Sequence, residues 1–227
     1  MLYVTPYVAI AAFLGGLVYK VSRWISAPRT GARLTIHPAP GGFLSRILST
    51  GVELGLFTDL AKVDLKLWAG TWIMHVGLLM ALVGHVRLAF DYLAAAGVSP
   101  ELAHQISAWG GATAGTMFMV PLFYLLARRW GGVVKELSTP EDHFALLLLI
   151  FIAITGNHMR FFQHVDLAEM QAYFRGLATF NFAPPPESGG LPFLVHYALV
   201  QLLMVYLPFG KISHLIGGAL SKLIAKE

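Results

Sequence analysis

The sequence predicts an all-α protein: an integral membrane bundle of five transmembrane helices, N-terminus outside and C-terminus in the cytoplasm. Three observations carry that prediction. Hydrophobic residues make up 56% of the 227 residues and charged residues only 12%, too little polar surface to wet a soluble globule of this size. Five stretches, at about residues 2–25, 67–93, 103–127, 143–162 and 191–215, reach the roughly 20 apolar residues that a helix needs to cross the hydrocarbon core. The basic residues fall on alternate connections. Lys20, Arg23, Arg29, Arg33, Arg46, Lys62 and Lys66 flank the first, Arg128, Arg129 and Lys135 follow the third span, and Lys211, Lys222 and Lys226 lie in the tail. Only Arg160, Arg175 and Arg87 lie on or near the other side, so the positive-inside rule sets the orientation. No soluble domain is left over, and residues 1–227 read as a single membrane domain.

The first span has Lys20 and Arg23 after it and no basic residue before it, the reverse of a secretory signal, and reads as a retained helix. Pro6 sits near its outer end, and Gly15-Gly16 at mid-depth suit close helix packing. In the connection that follows, Pro28, Gly31, Pro38, Pro40 and Gly41-Gly42 rule out a continuous helix. His37 in that stretch reads as exposed and not as a ligand. The segment 43–66 is amphipathic, with Phe43, Leu44, Ile47, Leu48, Val52, Leu54, Leu56 and Phe57 at mostly helical spacing. It suits a helix lying at the inner interface or a docking surface for a cytoplasmic subunit, and the two are compatible.

Gly97 and Ser99-Pro100 signal a turn and a helix start before the third span. That span carries a small-residue run, Gly110 to Thr116, which room for a bulky planar cofactor and close helix packing explain equally well. Glu141 and Asp142 suit the first turn of the fourth helix, which closes on a polar cluster from Thr155 through His158 and Arg160 to His164. Pro184-Pro185-Pro186 stiffen the last outer connection. His104 and His143, at helix starts, read as interfacial.

The second span carries His75 and His85 in its apolar part. Ionisable side chains inside hydrocarbon are expensive, so two in one span mark a functional site. They are ten residues apart, about 80° off a common face and separated by a rise of about 15 Å. On the fifth span His196 and His214 are eighteen residues apart, five turns of helix, and are expected on one face. Stacked antiparallel, these spans bring His85 level with His196 near the outside and His75 level with His214 near the inside. Two imidazoles across a gap suit bis-histidine ligation of a haem iron. A straight fifth helix would separate its histidines by about 27 Å, so a tilt or a distortion at Pro208 has to absorb the difference. A single histidine near a helix end is more often a hydrogen-bonding residue; four matched in depth favour ligands. The chain has no cysteine, which excludes disulfides, thiolate-bound iron–sulfur clusters and covalent c-type haem.

His75-Val-Gly with Gly84-His85, and His196 with Pro208-Phe209-Gly210-Lys211-Ile212-Ser213-His214, resemble the two haem-ligand helices of the respiratory nitrate reductase gamma-subunit family. Both spacings and the five-span layout match, over essentially the whole chain. Within that superfamily the Thr-Gly-Asn-His-Met-Arg-Phe-Phe end of the fourth helix and the Pro-rich loop look most like the DsrM group, the cytochrome b subunits of sulfite-reduction-associated Dsr complexes. The resemblance implies two non-covalent b-type haems, an outer one on His85 and His196 and an inner one on His75 and His214. It also implies menaquinol or menaquinone as substrate near the outer haem, and a cytoplasmic iron–sulfur partner resembling heterodisulfide reductase (DsrK-type). Because the chain lacks cysteine, that partner has to accept the electrons.

Quinol oxidation needs a polar pocket at the outer membrane surface, and Arg87, Asp91, His158 and Arg160 are the polar residues at that depth. His158 is the candidate general base, because an unperturbed imidazole titrates near neutrality. Pairing with haem propionates or lipid headgroups explains the two arginines as well. Two other readings stand beside this one: a nitrate reductase gamma subunit, or a non-redox membrane anchor or proton or metal transporter. Against the transporter, the sequence has neither a repeated half nor a carboxylate at mid-depth of a span.

Overall fold

The computed structural model describes residues 2–26, 42–163, 165–214 and 217, and among them there is no strand. His37, His164, Arg29, Arg33, Lys222 and Lys226 lie outside the described residues. The helices are α1 (Thr5–Ile25), α2 (Phe43–Leu56), α3 (Thr58–Val63), α4 (Leu65–Ala89), α5 (Tyr92–Ala95), α6 (Pro100–Arg128), α7 (Gly132–Leu137), α8 (Pro140–His158), α9 (Leu167–Thr179) and α10 (Gly190–Tyr206). α1, α4, α6, α8 with its continuation, and α10 are long and apolar enough to cross a membrane. The protein is therefore a multi-pass membrane protein, and the many exposed Leu, Ile, Val and Phe side chains on these helices suit lipid rather than water. The α2, α3 and α7 end of the bundle is called the α2 end below, and the opposite end, with α5 and α9, the α9 end.

Two spans end differently from the sequence expectation, and a third changes its helical type near its expected end. α4 stops at Ala89 because Phe90 is extended (φ −140°, ψ 112°) and the Asp91 carboxylate accepts the Ala94 N–H at 3.2 Å, starting α5. α8 runs on past His158 as a π-helical turn, Met159–Gln163. The fifth span is not one helix from 191 to 215. α10 ends at Tyr206, where Phe209 and Gly210 both donate to the Tyr206 carbonyl, and a 3₁₀ turn follows at Lys211–Ser213. The physical cause is Pro208, which has no N–H to continue the ladder, with Gly210 two residues on. The eighteen-residue spacing of His196 and His214 is thus not five turns of one helix.

The spans pack in sequence of contact: α4 along α6, α6 on α8, α8 on α10, α10 on α1. Two glycines set the closest approaches. A Cβ at Gly77 of α4 would stand 2.5 Å from the Phe118 nitrogen, and one at Gly115 of α6 would stand 2.3 Å from Asn157 Oδ1. Gly111 likewise lies against Arg160, so close packing against polar side chains of α8 and its continuation accounts for these two glycines of the small-residue run. Phe118, Leu122, Leu126, Leu146, Ile150 and Ala153 form the core between α6 and α8, covered by Met74 and Leu78 of α4. At the α9 end, Met170, Tyr173, Leu177, Phe193 and Tyr197 pack with Tyr3 and Tyr7 of α1. α4 faces His196 of α10 through His85, and His214, beyond the end of α10, through His75.

Candidate functional site

Each of the four histidines is positioned by a main-chain carbonyl. His75 Nδ1 lies 2.8 Å from Thr71 O, His85 Nδ1 2.6 Å from Ala81 O, His196 Nδ1 3.1 Å from Ile152 O and His214 Nδ1 3.3 Å from Lys211 O. A carbonyl only accepts, so Nδ1 carries the proton in each ring. Nε2 is left with its lone pair, the state a metal requires of a neutral imidazole.

The rings meet in two pairs. At the α9 end, His85 and His196 have ring centroids 6.2 Å apart and planes inclined by 12°. At the α2 end, His75 and His214 are 6.0 Å apart with planes inclined by 79°. Two metal–imidazole bonds of about 2 Å on opposite sides of an ion, plus the distance from each nitrogen to its ring centre, separate trans imidazole centroids by about 6 Å. The spacing and the free nitrogens are those that each pair would need to hold one iron between its rings. His75 and His196 are half-buried and His85 and His214 exposed, so each pair has one anchored ring and one open to the gap between α4 and α10.

The break after Tyr206 explains how two unequal spacings come level. From His196 to Tyr206 is ten residues, a rise of about 15 Å and the same as from His75 to His85. The last eight residues before His214 add little along the axis. Their turn is held by α1 and α8. Gly16 of α1 receives Pro208, and a Cβ there would come within 2.7 Å of it. Lys20 donates to Ser213 Oγ at 2.5 Å, and Lys211 binds Asp142 at 3.1 Å while its N–H donates to Glu141 at 3.0 Å. On the other pair, Gly156 of α8 seats the His196 ring: a Cβ there would stand 3.2 Å from Cε1, and the Thr155 hydroxyl lies 3.0 Å from Nδ1.

The four polar residues expected around a quinone do not converge. Arg87 is spent on internal bonds: both oxygens of Asp91 at 2.9 and 3.1 Å, the Ala103 carbonyl at 3.3 Å, and the Ser107 hydroxyl. Asp91 in turn caps α5, and its carboxyl is held below the usual range chiefly by the hydrogen bond from Arg87. His158 is exposed, its ring tilted against Phe162 at 5.5 Å. Arg160, in the π-helical turn, donates to the Ala108 carbonyl at 3.3 Å and lines a cleft of about 290 Å³ with His104, Ala108, Trp109, Ala112 and Phe161. The structure thus places Arg160 in the lining of one cleft with His104, which the sequence reading left as interfacial. His104, Ala108 and Ala112 recur every four residues along α6, and that stripe ending in an imidazole was the available signal.

Residues 60–225 match the model of the nitrate reductase gamma subunit family, a stretch that contains all four histidines. A relative from Archaeoglobus fulgidus, named Hdr-like menaquinol oxidoreductase cytochrome b-like subunit, is 30% identical over 93% of this chain and 74% of its own length. A protein of the same name from Archaeoglobus profundus is 24% identical over 95% of this chain and 75% of its own. The nitrate reductase gamma chain of Bacillus subtilis is 28% identical over 66% of this chain and 71% of its own. The chain is a multi-pass membrane protein that belongs to the nitrate reductase gamma subunit family.

Proposed function

We propose that this chain is the membrane cytochrome b subunit of a menaquinol-oxidising complex, holding two non-covalent b-type haems. His85 and His196 hold one near the outer face, His75 and His214 the other near the cytoplasmic face. The observation that carries the reading is the pairing of four Nδ1-protonated imidazoles at centroid distances of 6.2 and 6.0 Å. When bound, haem supplies the one-electron chemistry. The protein's part is to hold each imidazole in the ligating tautomer, to keep the two sites about 15 Å apart along α4, and to provide a proton acceptor for the quinol.

Oxidation of a quinol to the quinone releases two electrons and two protons. We place the quinone headgroup in the cleft of Arg160 and His104, about one helical turn along α8 and its continuation from Gly156, which seats the His196 ring. His104 is the group that takes a quinol proton, in the role the sequence suggested for His158. The electrons are delivered at the α2 end to a cytoplasmic iron–sulfur subunit, since the chain has no cysteine to hold a cluster. The names of the archaeal relatives support an Hdr-like menaquinol oxidoreductase complex and menaquinol as the quinone species, and a heterodisulfide-reductase-like (DsrK-type) subunit is the partner we propose within it. The finer assignment to a Dsr-type complex of sulfur metabolism, in the cytoplasmic membrane, rests on the end of α8 and the Pro-rich loop. Nitrate reductase catalytic genes beside this one would move it to the gamma-subunit role instead.

The test is spectroscopic. Reduced-minus-oxidised spectra of the purified protein are expected to show b-type bands and two haems per chain. His85→Ala and His196→Ala should remove one spectral component, and His75→Ala and His214→Ala the other. Haem-free protein from haem-replete cells would overturn the reading; loss of the same component from His75→Ala and His196→Ala would overturn the pairing.

A further inference from the structure

Phe57 is one of two non-glycine residues with positive φ among those described, at φ 50° and ψ 43°. It closes α2 and opens α3, a left-handed position where glycine is the usual occupant and a Cβ is unfavourable. Nothing in the turn itself requires an aromatic ring. The ring points elsewhere: it meets the His75 imidazole edge-on, with centroids 5.1 Å apart and planes at 72°.

The end of α2 that carries Phe57 is tied to α4. Trp68 Nε1 donates to the Leu56 carbonyl at 2.7 Å and Trp72 Nε1 to the Gly55 carbonyl at 3.1 Å, so the open carbonyls at the end of α2 are satisfied by the helix that bears His75. Glu53 accepts the Asp59 N–H at 3.2 Å and the Thr58 hydroxyl, which holds the start of α3. The His75 plane therefore has two restraints, the Nδ1 bond to Thr71 and the Phe57 ring against it. The other pair has no such aromatic neighbour among the described contacts, and its planes are near-parallel at 12° where those of His75 and His214 stand at 79°.

We propose that Phe57 is a positioning residue for His75: its ring holds the inner pair of imidazole planes near-perpendicular and so gives the two haems different electronic character. The inference rests on the haem reading above. In a low-spin ferric haem the relative orientation of the two axial imidazole planes sets the splitting of the iron d orbitals. Near-parallel planes give a resolved rhombic electron paramagnetic resonance signal, and near-perpendicular planes a more anisotropic one at lower field. The strained backbone at Phe57 thus has a purpose that a glycine, easier to accommodate, could not serve.

The test uses the oxidised holoprotein in detergent. The wild type should show one rhombic and one anisotropic low-field signal. Phe57→Gly, which the backbone accommodates without strain, should keep both haems and shift the low-field signal to higher field while leaving the rhombic signal in place. Phe57→Tyr, which retains the ring, should match the wild type; loss of one haem from the glycine variant with both kept by the tyrosine variant supports the same role. Two wild-type signals of one kind, an unchanged glycine variant with both haems, equal movement of both signals, or a tyrosine variant as displaced as the glycine one would each overturn it. Wild-type protein without haem would instead overturn the function proposed above, before the variants are compared.

Discussion

A carbonyl bond to Nδ1 does not by itself make a histidine a ligand. His143 has one too, to Thr139 O at 3.0 Å, yet no imidazole faces it among the described contacts. What distinguishes His75, His85, His196 and His214 is an opposed ring at the distance an axial pair needs. That these four come together in two pairs was legible in the sequence through spacing and depth. Which polar residues at the α9 end share a cleft was not, because depth alone says nothing of the face on which a side chain lies. His158 and Arg160 are two residues apart and so point in different directions, one against Phe162 and one against α6. A general base typically contributes on the order of 100-fold or more. In stopped-flow reduction by a menaquinol analogue, His104→Ala should therefore slow haem reduction by about 100-fold at unchanged haem content, and His158→Ala by less than about twofold. The opposite order would return the proton-accepting role to His158.

At the scale of elements, the sequence expectation that some distortion at Pro208 must reconcile 18 residues with 10 is met by a full helix end at Tyr206 and a turn held by α1 and α8. The extent of that break was not legible, since Gly16, Lys20 and Asp142, which hold it, are remote in the chain. The end of α4 is similar in kind: Arg87 ties Asp91 to Ala103 and Ser107 of α6, so the pair joins three helices. Asp91 is held below its ordinary 3.8 by the bond from Arg87. A depressed carboxylate contributes stability that is complete above its ordinary value and is lost as the pH falls through the lowered one. Asp91→Asn should therefore lower thermal stability at neutral pH by about 1 kcal/mol, the pair being partly exposed to solvent. It should also flatten the fall in melting temperature that the wild type shows below about pH 4. Asp64, held low in the same direction by the Leu67 N–H and Arg128, leaves part of that acid loss in the variant. An unchanged acid profile would remove the Arg87–Asp91 pair from the stability of the fold.

For the whole molecule, the described basic residues at the α2 end include Lys20, Arg23, Lys62, Lys66, Arg128, Arg129, Lys135 and Lys211, against Arg87, Arg160 and Arg175 at the α9 end. By the positive-inside rule this asymmetry is the ground for our proposal that the α2 end faces the cytoplasm. The lack of native cysteine makes the orientation directly testable. A cysteine at Glu187, exposed at the α9 end, should react with a membrane-impermeant maleimide in intact cells. One at Glu136, exposed in α7, should react only after the membrane is opened. Labelling in the reverse pattern would invert the proposed direction of electron delivery.

Composition and periodicity were enough for five spans and for a matched set of four histidines, because apolar length and helical rise are local properties that a linear pattern records. Only the tertiary structure decided where α10 stops, which rings stand parallel and which perpendicular, that Arg160 and His104 line one cleft, and that Phe57 reaches His75. Each of these depends on side chains brought together from distant parts of the chain by helix packing, and on which face of a helix a neighbour covers.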